Sequence, residues 1–184
     1  MISKEEFIRQ FYTGDREKLI AKIKWDSGWC HRPDVSLEEE VRLHVVGGYE
    51  AELAVQRFLE KRKQLTGLDY QFDDLNQWHF EIGDEQQRKS QNQLNKSDVL
   101  VQAETGEMVH VEIKHLLKDC LTDPDCSKLC TTNSGVYRVS RPHEDTQMFF
   151  LVDKEIEKLY VCTLEMDVVQ VIDLKEFRDD LGKV

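Results

Sequence analysis

The ten residues EMVHVEIKHL, 107 to 116, limit what the chain can become more than any other stretch. Val109, Val111 and Ile113 alternate strictly with His110, Glu112 and Lys114. A period of two puts these sets on opposite faces of a β-strand, one to pack and one to carry charge, and no helix sorts them that way. Upstream, SDVLVQA (97–103) alternates as well, and Glu104-Thr105-Gly106 between the two runs signals a turn, so the pair reads as a β-hairpin. A register that sets Asp98 across from the Glu112 region gathers two carboxylates and the Lys114 ammonium at one spot.

Converging carboxylates repel unless one is protonated or a cation sits with them, and Mg²⁺ is commonly held by one or two carboxylates, waters and substrate phosphate. A lysine two residues from one such ligand is placed to orient the attacking water, lower its pKa or stabilise charge on the phosphate. These groups together suit metal-assisted hydrolysis of a phosphodiester. The plain alternative is a charged cross-strand face on an ordinary sheet.

Asp98, thirteen intervening residues and then Glu112-Ile113-Lys114 resemble the PD-(D/E)XK nuclease superfamily, whose signature is an Asp on one strand of a hairpin and Glu-X-Lys on the next. The family's Pro-Asp stands here as Ser97-Asp98, a departure that touches turn geometry and not ligation. The resemblance implies an α/β, restriction-endonuclease-like core: a mixed central β-sheet, its first three strands antiparallel, flanked by helices. It also implies Mg²⁺ or Mn²⁺ bound by Asp98 and Glu112, the Ile113 carbonyl as an added ligand, and Lys114 activating or positioning water. Family members often add a glutamate from a helix before the hairpin. GYEAELAVQRFL (48–59) is similar to that helix in the RecB-like and junction-resolvase branches, with Glu52 the best fit for a residue supporting the metal and Glu50 the second. The matched stretches are 48–60 and 95–116, and the fold reading extends to about 175.

The remaining chain fits that frame. Ser3 with Glu6 is a capping-box pattern opening two short helices broken near Gly14, and Ser36 with Glu39 opens a longer helix to about Lys63, with Gly47-Gly48 as a candidate break. Residues 1–35 form an expected N-terminal helical arm, and 36–184 the nuclease-like domain, the whole most simply one compact domain. LDYQFDD and WHFEI read as strands, GDEQQRKSQNQLNK as an exposed loop, KDCLTDPDCSKLCTTNSG as a turn-rich, cysteine-rich loop, QMFFLVD, KLYVCTL and VVQVIDL as three further strands, and KEFRDDLG as a short closing helix.

Charge and cysteine usage bound the partners. The net charge of −11 argues against a protein that coats a polyanion without specificity, since phosphate affinity comes mainly from Lys and Arg. A local basic surface remains open: Arg138, Arg141 and His143 in YRVSRPH are candidate phosphate contacts, while Arg88, Lys89 and Lys96 read more simply as a solvated loop. Gln102 and His110 share the charged face, where His110 is either a water-orienting group or a solvated edge residue. Five cysteines read as reduced thiols or metal ligands. Cys120, Cys126 and Cys130 offer three thiolates for Zn²⁺, with His115, Cys30 or His31 as a fourth ligand, and are loosely similar to the iron–sulfur clusters of some RecB-like nucleases. Neither a membrane-length apolar run nor a secretory signal is visible, so the expected location is cytoplasmic. The expected partner is nucleic acid, DNA before RNA, cut by a homodimer or with a partner protein supplying DNA binding. The rival functions are a non-catalytic accessory subunit of the same fold and a zinc protein centred on the cysteine loop.

Overall fold

The structure is a computed structural model that describes residues 3–21, 35–72, 97–117, 127–140 and 142–177. Its described residues fall into two units, 3–50 in the first and 51–72 with 97–177 in the second.

The first unit is helical. Helix α1 (Lys4–Thr13) is capped by Ser3, whose side chain accepts the Glu6 N–H, and it stops where the Gly14 N–H bonds back to the Gln10 carbonyl. A Cβ at Gly14 would stand 2.8 Å from that carbonyl oxygen, which is why glycine ends the helix here. After α2 (Arg16–Ala21) comes α3 (Leu37–Glu40), capped by Ser36 as its sequence implies. The expected break at Gly47-Gly48 does not occur. The helix widens instead into a π-helical turn over Val41–Val46 and resumes as α4 (Gly47–Thr66). Phe7, Phe11, Leu19 and Ile20 pack with Val41, Val45, Val46 and Tyr49. In that packing the segment after Ser36 presents an apolar face to α1 and α2.

The second unit is built on a six-stranded mixed sheet in the order β1-β2-β3-β6-β7-β8. Its strands are β1 (Tyr70–Phe72), β2 (Val99–Gln102), β3 (Met108–His115), β6 (Met148–Asp153), β7 (Lys158–Cys162) and β8 (Val168–Asp173). β1, β2 and β3 are mutually antiparallel, and β6 then joins β3 in parallel. The hairpin turn closes through the Ala103 N–H to the Glu107 carbonyl and the Gly106 N–H to the Ala103 carbonyl, with Gly106 at φ +90, a conformation that favours glycine. On one sheet face Val99, Val101, Val111, Ile113, Phe150, Val152, Leu159 and Val161 pack with Ala51, Val55 and Leu59, the i, i+4, i+8 stripe of α4.

The other face is covered by a structure the sequence reading does not contain. The end of the expected cysteine-rich loop and the residues just after it form a hairpin, β4 (Ser127–Thr132) and β5 (Gly135–Ser140), joined at Asn133-Ser134. Cys130, Tyr137 and Val139 point inward onto Phe149, Leu151, Tyr160 and Cys162. Alternation across LCTTNSGVYRVS marks this hairpin, but the density of turn residues and cysteines hides it. The described residues end on a 3-10 turn, Leu174–Phe177, while the rest of the expected closing helix and the expected strand WHFEI lie outside them. No helix among the described residues is long and apolar enough to cross a membrane.

Candidate active site

The β2–β3 register pairs Val99 with Val111, so the next position down sets Asp98 opposite Glu112, as the alternation implies. β3 is flanked on both sides, by β2 and β6, which lets an acidic side chain on it become deeply buried. Glu112 is 1% exposed. It shares the sheet face of its β6 neighbour Phe149, while Ile113 points to the α4 face.

A buried carboxylate is tolerable only when its charge is answered. Lys114 Nζ donates to Glu112 Oε1 at 2.6 Å, His143 Nδ1 lies 2.8 Å from Oε2, and the Thr146 hydroxyl donates to Oε2 at 3.3 Å. Burial pushes the Glu112 pKa up, but the His143 hydrogen bond and the Lys114 charge outweigh it and hold the group below the usual carboxylate range. The same contact raises His143 above the ordinary imidazole value.

Asp98 has the opposite balance. Burial and then the negative charge of Glu112 push it up to about 6, against the pull of Lys114, the Ile113 N–H and His143. Its Oδ2 accepts the Ile113 N–H at 2.6 Å. Two acids with pKa values driven in opposite directions by one shared environment mark a candidate site of chemistry.

Around this pair lies a polar clamp. Ser97 N–H donates to Asp145 Oδ1 at 2.9 Å, Ser97 Oγ lies 2.9 Å from His110 Nδ1, and Asp145 Oδ2 is 3.1 Å from that same nitrogen. A serine nucleophile relay needs serine and carboxylate on opposite ring nitrogens, so this trio holds structure together and does not activate Ser97. His110, left open between two roles in the sequence, is therefore tied into the clamp.

The other candidate residues are dispersed. Glu52 is half-buried on α4, the helix that packs on the sheet face opposite Glu112, and among the described residues no three His, Cys, Asp or Glu side chains group as a metal cluster. Glu50 accepts from the Tyr12 hydroxyl within the helical unit. Arg138 is exposed on β5, on the side away from Tyr137 and Val139, and Arg141 lies outside the described residues. His143, expected as a phosphate contact, meets Glu112. Of the cysteine trio, Cys120 and Cys126 lie outside the described residues, and Cys130 is fully buried in thiol contact with Cys162. Asp145, Thr146 and Gln147 were not picked out from sequence. The signal for them is the dense polar run HEDTQ directly before an apolar strand.

Asp98, Glu112 and the Ile113 carbonyl are hard oxygen donors of the type Mg²⁺ and Mn²⁺ prefer, and a second negative charge that the protein only partly neutralises fits a divalent cation. The buried thiol of Cys130 packs in the core and is not directed to this site.

No family model matches the chain, and no curated protein matches it. Among solved structures it is similar to a bacterial homing endonuclease, I-Ssp6803I, at 17% identity over 75% of this chain and 80% of that one, with a TM-score of 0.36. A likeness that distant leaves function to be read from the site.

Proposed function

We propose that the protein is a metal-dependent nuclease of the PD-(D/E)XK type that hydrolyses phosphodiester bonds, in DNA before RNA. The observation that carries this reading is the convergence of Asp98, just before β2, with Glu112 and Lys114 of β3 on one sheet face, with one acid driven up and the other down. An antiparallel trio followed by a strand parallel to the third also agrees with the core that the resemblance implies.

Asp98 and Glu112 would hold Mg²⁺ or Mn²⁺, with the Ile113 carbonyl beside them, since an N–H and C=O of one strand residue leave on the same edge and the Ile113 N–H faces Asp98. The cation, when bound, polarises the phosphate and lowers the pKa of a coordinated water. Lys114 holds Glu112 in place and presents an ammonium where negative charge grows on the phosphate. Glu52 sits on α4, across the sheet from Glu112, so the metal role that the resemblance implies for it is left out of this reading. The acidic net charge leaves DNA affinity to a partner protein or to a small cleft made basic by the bound metal.

The test is cleavage of duplex, single-stranded and branched DNA and of RNA with Mg²⁺ or Mn²⁺, wild type against Lys114→Ala. Metal-dependent cutting that falls by about 100-fold or more in a folded Lys114→Ala protein is the expected result. Cutting at close to the wild-type rate would sink the assignment of Lys114. Binding without cutting by either protein would favour the accessory-subunit reading.

A further inference from the structure

The segment 142–147, between β5 and β6, lays a run of polar groups against the candidate site. Asp145 accepts the Ser97 N–H, and Gln147 accepts the His110 N–H through its side chain and returns its own N–H to the His110 carbonyl, each at 2.9 Å. The Thr146 N–H closes a turn onto the His143 carbonyl at 3.1 Å. Pinned in this way to β3 and to the residue before Asp98, the segment turns two more of its side chains, His143 and Thr146, to the candidate site. Both meet one atom, Glu112 Oε2. Glu112 is thus gripped on each oxygen by a different part of the chain, Lys114 of its own strand and the 142–147 segment across from it.

A carboxylate that holds a cation works only from a narrow range of orientations, and the partners behind it set that range. Losing one such partner typically costs about 10–100-fold in metal affinity or activity. We infer that segment 142–147 is a strap that positions Glu112, with His143 as its principal positioning residue through the donor at Nδ1. The inference rests on the metal-dependent nuclease reading and adds a residue to it.

The test compares Mn²⁺ binding, followed by electron paramagnetic resonance, for wild type, His143→Ala, His143→Asn, His143→Gln, Thr146→Val and Glu112→Gln. Cleavage kcat and KM are measured beside it, and circular dichroism confirms that each variant is folded. Asparagine carries its amide nitrogen near the place of Nδ1, whereas glutamine carries it farther out. The expected result is a loss of affinity of about 10–100-fold in His143→Ala and His143→Gln, with kcat falling more than KM rises. His143→Asn recovers most of the loss, and Thr146→Val gives a smaller one, which keeps the strap testable if His143→Ala does not fold. Unchanged Mn²⁺ affinity in folded His143→Ala, tighter binding, or an asparagine variant no better than glutamine would overturn the inference. The two levels separate cleanly. If Glu112→Gln loses Mn²⁺ while His143→Ala keeps it, only the strap fails; if wild type binds none, or Glu112→Gln binds equally, the metal reading fails and takes the strap with it.

Discussion

Asp98 Oδ2 accepts the Ile113 N–H at 2.6 Å, just beyond the point where β2 begins its backbone ladder with β3 at Val99 and Val111. The carboxylate therefore does for Ile113 what a further β2 residue would do, and it is structural and electrostatic at once. Asp98→Asn keeps an acceptor for that N–H, so it should retain stability while losing metal-dependent cleavage. Asp98→Ala strands the N–H and should cost about 1–3 kcal/mol as well. Urea denaturation of the two variants beside cleavage assays separates these effects; equal stability of the two would show that the hydrogen bond contributes little.

Removing Lys114 takes one of the cationic partners from a buried carboxylate. Lys114→Ala should lower cleavage by roughly 100-fold or more. Because His143 and Thr146 remain on Glu112, the loss of stability should stay near 1–3 kcal/mol and not reach the larger cost of a fully uncompensated buried charge. The measurement is a denaturation midpoint next to single-turnover rates.

The pH dependence of stability follows from opposed shifts. Asp98 is raised in the fold, so the native state holds its proton more tightly, and stability falls as pH climbs from about 4 through 6. His143 is also raised, and its contribution is complete below the ordinary imidazole pKa and lost as pH passes through the higher folded value. Glu112 is lowered, so its contribution is present above the ordinary carboxylate pKa and lost as pH drops through the folded value in acid. Denaturant midpoints without metal should thus decline from about pH 5 to pH 8. Asp98→Asn should flatten the acidic part of that decline, and a slope unchanged by this variant would remove Asp98 as its cause.

Divalent cation should reverse the decline, because it answers the charge that Asp98 acquires on losing its proton. At pH 7.5, Mn²⁺ at about 100 times its dissociation constant should stabilise the protein by about 2.7 kcal/mol, and by less at pH 5 where Asp98 is protonated. Thermal midpoints with and without Mn²⁺, repeated in Asp98→Asn, check this. A shift that persists undiminished in the variant would place the cation elsewhere.

Asp153 is the contrasting buried carboxylate. Its Oδ2 accepts from the Ser134 and Tyr137 hydroxyls and its Oδ1 from the Glu155 and Ile156 N–H groups, so its work is to tie the β4–β5 hairpin and the β6–β7 turn to the sheet. Asp153→Ala should destabilise by about 2–4 kcal/mol, with several donors left unpaired. Cleavage per folded molecule should be unchanged within a few-fold. A specific loss of turnover in the folded protein would connect Asp153 to the chemistry.

The β2–β3 hairpin was legible from the chain alone, since a period of two and a Gly turn are local properties that dictate which residues share a face. That is why Asp98, Glu112 and Lys114 could be placed together before any packing was known. Helix caps at Ser3 and Ser36 were legible for the same reason, each depending on residues within one turn. The π-helical turn and the contact of Cys130 with Cys162 were not, because each is decided by what an element packs against, and the β4–β5 hairpin was missed because turn residues and cysteines masked its own alternation. The same holds for the strap. His143 and Thr146 reach Glu112 only because β6 enters parallel to β3, which brings a loop 31 to 34 residues away in sequence onto that carboxylate. Local alternation determined the charged strand face; long-range strand order decided which side chains answer its charge, since burial in the middle of a sheet makes an unanswered carboxylate too costly to keep.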